Sequence, residues 1–281
     1  EIIGFRRGTR MARLDIAPVE YNPVSGNIRV YDNVVVKVTF KNGNYAETQY
    51  LQEKTRSPFF NGLENSTLNN LQVGNGSREN FTRYPVKYVI VSDPMFHDAL
   101  QPLIDWKTRK GFTVVEAYTN QPNVGTTTGS IKSYLQGLYN AGTPDDPSPT
   151  FVLFVGDVGQ IPAFSQGGHV SDLYYCEYTN DHIPEMFYGR FSATNVTQLQ
   201  PQIDKSLMYE QYQFPDPSFL GECVMVSGVD GSYAPIHGNG QINYGTTYYF
   251  NEAHGLLSHT YLYPESGSSG AGSMVTIEQP R

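Results

Sequence analysis

Cysteine is scarce in this chain: Cys176 and Cys223 are the two in 281 residues. Two are too few for a disulfide framework, and they lack the paired spacing of a zinc site. They are also weak candidate nucleophiles. Cys223 falls inside an apolar strand pattern, where a small buried hydrophobe is the usual role, and Cys176 sits among tyrosines with no histidine near it to make a thiolate. Long apolar runs are missing as well. The longest, Phe151 to Val155, is far short of the roughly 18 residues needed to cross a bilayer, so no transmembrane segment is expected. No Walker lysine loop, no G-x-G-x-x-G after the first strand and no G-x-S-x-G elbow occurs, which removes the commonest nucleotide-binding and serine-hydrolase readings. The six histidines are scattered, with no H-E-x-x-H pair.

Basic residues are few after the first third. Residues 1–83 carry a net charge of +3 and the remainder −11, within a total of −8. An acidic main body argues against nucleic acid as a partner, since neutralising phosphates takes a basic face. The opposite charges of the two parts predict mutual attraction that high salt weakens.

What is present alternates in pattern. Ala12, Leu14 and Ile16 alternate with Arg13 and Asp15, NPVSGN reads as a turn, and Ile28 and Val30 follow. Val34, Val36, Val38 and Phe40 then repeat at period two up to Asn42-Gly43. These predict a small all-β, sandwich-like domain. Residues 61–83 are polar and rich in Asn, Gly and Ser, and read as a linker in which Arg78 and Arg83 are exposed points for cleavage. The expected domains are therefore 1–83 and 84–281.

From residue 84 strands and helices alternate. KYVIVSD, FTVVEAY and FVLFVGD are strands; helices lie between them, one carrying Leu100, Leu103, Ile104 and Trp106, the other Ile131, Leu135 and Leu138. Pro102 predicts a kink or a late start in the first. A helix near Leu199 to Glu210, the strand ECVMVSGVD, a helix near Tyr244 to Glu252 and a strand at Leu256 to Tyr263 complete the series, and ESGSSGAGS reads as a loop. This order predicts an α/β fold with a mostly parallel sheet covered by helices on both faces. Asp157 and Asp230 both fall just past the carboxyl ends of apolar strands, where such folds build sites; if those strands are neighbours, both acids line one crevice. The loop TNDHIPE places Asp181 and Glu185 close together as hard oxygen donors, and a calcium loop and a merely solvated acidic loop both fit that composition.

The run SDLYYCEYTNDHIPEMFYGRFSA resembles the gingipain family of secreted bacterial cysteine peptidases. WKTRKGF, VGTTTGSIKSYL, FVLFVGD, IDKSLMYE and YYFNEAHG resemble it too, in order along the chain. RMARLDIAPVEYNPVSGNIRVYDNVVVKVTF is similar to the end of the propeptide that precedes such catalytic domains. The resemblance implies a caspase-like catalytic domain, a β-rich prodomain that keeps the enzyme latent, and a location outside the cell or on the bacterial surface. It implies a Cys–His dyad assisted by an acid at a strand end, and VSGVDGS matches that acid, so Asp230 is expected to orient and stabilise the dyad imidazolium. It carries calcium to TNDHIPE, with Asp181 and Glu185 as carboxylate ligands and Ile183 as a main-chain carbonyl ligand. The family's N-Y-T-x-H-G histidine segment and its cysteine are expected beyond residue 281; Cys176 and Cys223 match no nucleophile position.

The expectation is thus a fragment or nicked form of a proenzyme that acts on protein or peptide substrates, its dyad on the C-terminal remainder of the same polypeptide. The acid that sets arginine preference in relatives corresponds to the region of Gln241, where no carboxylate stands. A noncatalytic binding component, or a sortase-like transpeptidase of a secretion system that kept the fold, is the alternative.

Overall fold

The structure is a computed structural model that describes residues 1–39, 41–60, 85–228, 230–263 and 279–280. The expected linker with Arg78 and Arg83, and the loop ESGSSGAGS, lie outside the described residues. The chain forms two compact units, Glu1–Leu207 and Met208–Arg281.

The first unit begins with two separate antiparallel ladders. Strands β1 (Ile2–Arg6) and β2 (Thr9–Ala12) pair with each other, as do β3 (Val19–Asn22) and β4 (Asn27–Val30). The NPVSGN turn joins the second pair; Asn22 Oδ1 accepts from the N–H groups of Val24 and Ser25, and Gly26 supplies the positive φ of 72°. Residues 34–39 form no strand despite their alternating valines, and Val35 is 93% exposed. Period two needs a partner edge and a surface to cover, and among the described residues this stretch has neither. A helix unforeseen in the sequence, α1 (Tyr45–Lys54), follows. It buries no side chain, which hides it from any periodicity argument. Its signal is a reciprocal cap: Asn44 Oδ1 accepts from Glu47 N–H, and Asn44 Nδ2 donates to Glu47 Oε2.

The centre of this unit is a four-stranded, wholly parallel sheet. Its strands are β5 (Val86–Ser92), β6 (Phe112–Tyr118), β7 (Phe151–Val155) and β10 (Phe187–Phe191), in the order β10-β7-β5-β6. Between β7 and β10 lie the short hairpin β8 (Phe164–Gln166) and β9 (His169–Ser171), and one helical turn, α4 (Leu173–Cys176).

Strand alternation divides the core. Val89, Val91, Val152 and Phe154 face α3 (Thr128–Asn140) and α4, packing on Ile131, Leu135 and Tyr175. Ile90, Leu153 and Val155 face α2 (His97–Arg109) and α5 (Val196–Glu210), against Leu100, Leu103, Leu199 and Ile203. The fold is therefore α/β and caspase-like, with both sheet faces covered. Each fully buried aliphatic side chain in these layers stabilises the unit by about 1.5–3 kcal/mol.

Caps fix the helix starts. Thr127 and Ser130 form a capping box at α3, and Asn195 Oδ1 accepts from Gln198 N–H at α5. Pro102 is carried inside α2, which neither starts late nor stops there. It lies on the exposed face, where solvent can serve the carbonyl that its missing N–H leaves unpaired. Strand β10 escaped the sequence reading because FYGRF carries a glycine and an arginine in place of a continuous apolar run.

In the second unit β11 (Glu222–Val226) pairs in parallel with β12 (Leu257–Tyr261), and β12 pairs antiparallel with β13 (Gln279–Pro280). Helix α6 (Asn239–Tyr248) follows a π-turn at Ala234–Gly238. Strand β7 pairs with β5 and β10, and β11 with β12, so Asp157 and Asp230 do not end neighbouring strands. The condition for one shared crevice is not met.

Candidate functional site

Asp230 follows β11 by four residues, beyond Gly228 at φ 88°. Its Oδ1 accepts from the N–H groups of Ser232 at 2.8 Å and Tyr233 at 3.0 Å, and its carbonyl accepts from Ala234 N–H at 2.9 Å. The carboxylate therefore caps the turn that opens the 234–238 segment, and it is solvent-exposed. The residues around it are tightly drawn. A Cβ on Gly238 would stand 2.8 Å from Ser227 O, and one on Gly231 would stand 3.0 Å from the Tyr263 hydroxyl. Buried Asn239 locks the end of β12 to α6: its Nδ2 donates to Tyr263 O at 2.7 Å, and its Oδ1 accepts from Tyr263 N–H at 2.8 Å. The acid thus stands on a rigid frame at the carboxyl ends of two parallel strands, with its Oδ1 held by main-chain donors.

The acidic loop is organised differently. Asn180 and His182 are both left-handed, with φ of 59° and 66°, and throw the chain into successive tight turns. Asp181 Oδ1 accepts from Ile183 N–H at 2.8 Å, and its Oδ2 accepts from Phe5 N–H at 2.6 Å. Partial burial pushes its carboxyl upward, but these N–H donors and the Thr179 hydroxyl outweigh it and hold the group below the usual carboxylate range. Glu185 is 2% exposed; its Oε2 accepts from Tyr178 N–H at 3.0 Å and its Oε1 from the Thr179 hydroxyl at 3.3 Å. Burial pushes it up to about 7, and the charges of Asp181 and Glu177 act in the same direction against the Tyr178 N–H. Glu177 is buried too, its Oε1 accepting from Asp181 N–H at 3.1 Å.

The oxygen chemistry of this loop suits a hard cation. As arranged, its acids face N–H and O–H donors, and among the described residues no three acidic, histidine or cysteine side chains form a group able to hold a metal ion. Of the three expected ligand residues, Asp181 and Glu185 are engaged by N–H and O–H donors within this short loop and from Phe5.

Neither cysteine has the surroundings of a nucleophile. Cys176 is fully buried against the sheet, and burial drives its thiol far up; Cys223 lies within β11. Asp157 ends β7 as a turn residue, with Oδ1 accepting from Val158 N–H and from the Ser192 hydroxyl. What sequence reasoning missed is the brace beside it. Arg190 of β10 donates through Nε and Nη2 to both oxygens of Asp172, and through Nη1 to the carbonyls of Gly156 and Ile161.

A parallel sheet between two helical layers, followed by a second sheet with an acid beyond a strand end, defines an α/β protein of caspase-like architecture. More narrowly, the chain belongs to peptidase family C25. The model of that family matches residues 81–275, and the C25 propeptide model matches residues 3–73. Lys-gingipain of Porphyromonas gingivalis is 34% identical over 276 residues, covering 97% of this chain and 16% of the relative. Gingipain R2 of the same organism is 26% identical over 246 residues, covering 85% of this chain and 32% of the relative. A solved structure described as a protease superposes with a TM-score of 0.59 at 36% identity, covering 66% of this chain and 42% of that one. The chain therefore spans well under half the length of these relatives.

Proposed function

We propose that this chain is the propeptide and the amino-terminal part of the catalytic domain of a secreted or cell-surface bacterial cysteine endopeptidase. The observation that carries the reading is the order of the two family matches, a C25 propeptide at 3–73 followed by the C25 peptidase domain at 81–275. The catalytic Cys–His dyad belongs to the C-terminal remainder of the same proenzyme. There the thiolate attacks the peptide carbonyl and the histidine protonates the departing amine. Asp230 orients that histidine, and its capped, preorganised carboxylate at the strand end suits the task. A face of β11 supports a covering segment from elsewhere in the proenzyme: Val224 and Val226 are 67% and 53% exposed among the described residues. No described helix is long and apolar enough to cross a membrane.

Calcium binding by Asp181, Ile183 and Glu185 belongs to the same reading. It rests on their hard-oxygen chemistry and requires the loop acids to turn from their N–H donors toward the ion.

The test is hydrolysis of unstructured protein substrates by the proenzyme extended beyond residue 281, before and after the propeptide is cut away. Thiol-dependent cleavage that iodoacetamide abolishes is the expected result. Transfer of the acyl group to an added amine in preference to water would favour the transpeptidase alternative, and neither reaction would favour the binding role.

A further inference from the structure

The β1–β2 turn is built from Arg7 and Gly8, at φ of 44° and 79°. A two-residue hairpin turn with both central residues left-handed is the setting for Asn-Gly or Gly-Gly, and a long side chain is disfavoured at its first position. An arginine held there against backbone preference is kept in place by what its side chain binds.

That side chain leaves the hairpin and is 3% exposed. Nη1 donates to Pro149 O at 2.8 Å and to Glu185 O at 2.6 Å, Nη2 donates to Ser148 O at 3.2 Å, and Nε donates to Thr55 O at 2.6 Å. The Phe60 ring lies 4.7 Å from the guanidinium carbon and the Tyr139 ring 5.7 Å. Thr55 returns a bond from its hydroxyl to Arg7 O at 2.6 Å. Ser148 and Pro149 lead into β7, and Glu185 leads into β10, so their carbonyls ring the amino-terminal edge of the parallel sheet. The hairpin is seated beside the socket by Phe5 N–H on Asp181, and by Gly4, where an added Cβ would meet Asp181 Oδ2 at 2.6 Å.

We propose that the carbonyls of Ser148, Pro149 and Glu185 form a guanidinium socket on the peptidase domain, and that Arg7 is its occupant in cis, the anchor that fastens the propeptide hairpin to the sheet edge. A planar guanidinium spreads five N–H donors over a fixed fork, which a lysine ammonium cannot reproduce against carbonyls set on different sides. Because the contact is buried and made to carbonyls, salt screens it far less than it screens surface charge.

The test uses the full chain and hydrogen–deuterium exchange at the Phe5 amide. Arg7→Asn removes the guanidinium while supplying a residue that the turn prefers, so a purely conformational role and an anchoring role predict opposite outcomes. Exchange at Phe5 is expected to quicken at least about tenfold in Arg7→Asn, the loss of a charge-assisted hydrogen bond, and by less in Arg7→Lys. In Arg7→Ala, millimolar guanidinium is expected to restore protection while sodium chloride of equal ionic strength does not. Unchanged protection in Arg7→Asn overturns the proposal, as does failure of guanidinium to act beyond salt in Arg7→Ala. Equal acceleration at Val89 and Val91 overturns it too, because Arg7 would then hold the whole sheet and not the hairpin.

Discussion

Arg190 and Asp172 meet in a two-pronged ion pair, Nε to Oδ2 at 2.8 Å and Nη2 to Oδ1 at 2.7 Å, with side chains only 14% and 15% exposed. Strand β10 is thereby tied to the start of α4, and through the Gly156 and Ile161 carbonyls to the turn after β7. Asp172→Asn leaves a mostly buried guanidinium without its counter-charge. The expected cost is about 2–3 kcal/mol, below the range for a fully buried pair because both groups keep some solvent. In a unit of this size that lowers the melting temperature by about 5–10 °C, read by calorimetry. A change of less than a degree would show that the two carbonyls alone hold Arg190.

Glu185 sets a pH dependence. Its carboxyl is raised from the ordinary 4.5 to about 7 by burial first and by neighbouring acids second, so between those values the folded chain holds a proton that the unfolded chain releases. Stability from this group is full below about pH 4.5 and falls as pH rises toward 7. Thermal melts across that window should show a declining limb that Glu185→Gln flattens. A limb that persists in Glu185→Gln would assign it to other groups.

Calcium bound as proposed would act on the same residue in the opposite sense. An ion held by the loop would favour ionised Glu185, so added calcium should raise the melting temperature most near neutral pH and least near pH 5. Chelation should reverse the gain. A melting temperature indifferent to both calcium and chelator would leave 179–185 as an acidic loop closed by its own N–H and O–H donors.

Asp230 has two separable roles, turn cap and proposed partner of the dyad histidine. Asp230→Asn keeps an oxygen that accepts from Ser232 and Tyr233 and loses the charge; Asp230→Ala loses both. In the extended proenzyme after propeptide removal, Asp230→Asn should retain the melting temperature and lose at least about tenfold in turnover, while Asp230→Ala should lose about 1 kcal/mol of stability as well. Full activity in Asp230→Asn would leave only the cap.

The strands and helices of the central layers were legible in the chain because their signals are local. β5, β6 and β7 announce themselves as short apolar runs, and α2 and α3 by helical spacing of Leu100, Leu103, Ile104, Ile131 and Leu135. The place of Asp230 just past a strand end was legible for the same reason. The tertiary structure alone placed β10 at the sheet edge, since FYGRF becomes a strand by pairing with β7 and by giving Arg190 to Asp172. It alone brought Phe5 to Asp181 and Arg7 to Pro149 and Glu185, across separations of 142 to 178 residues. Periodicity reports the neighbours a residue has along its own segment. Which distant carbonyl receives a strained arginine depends on how packed layers meet, and no local pattern encodes that.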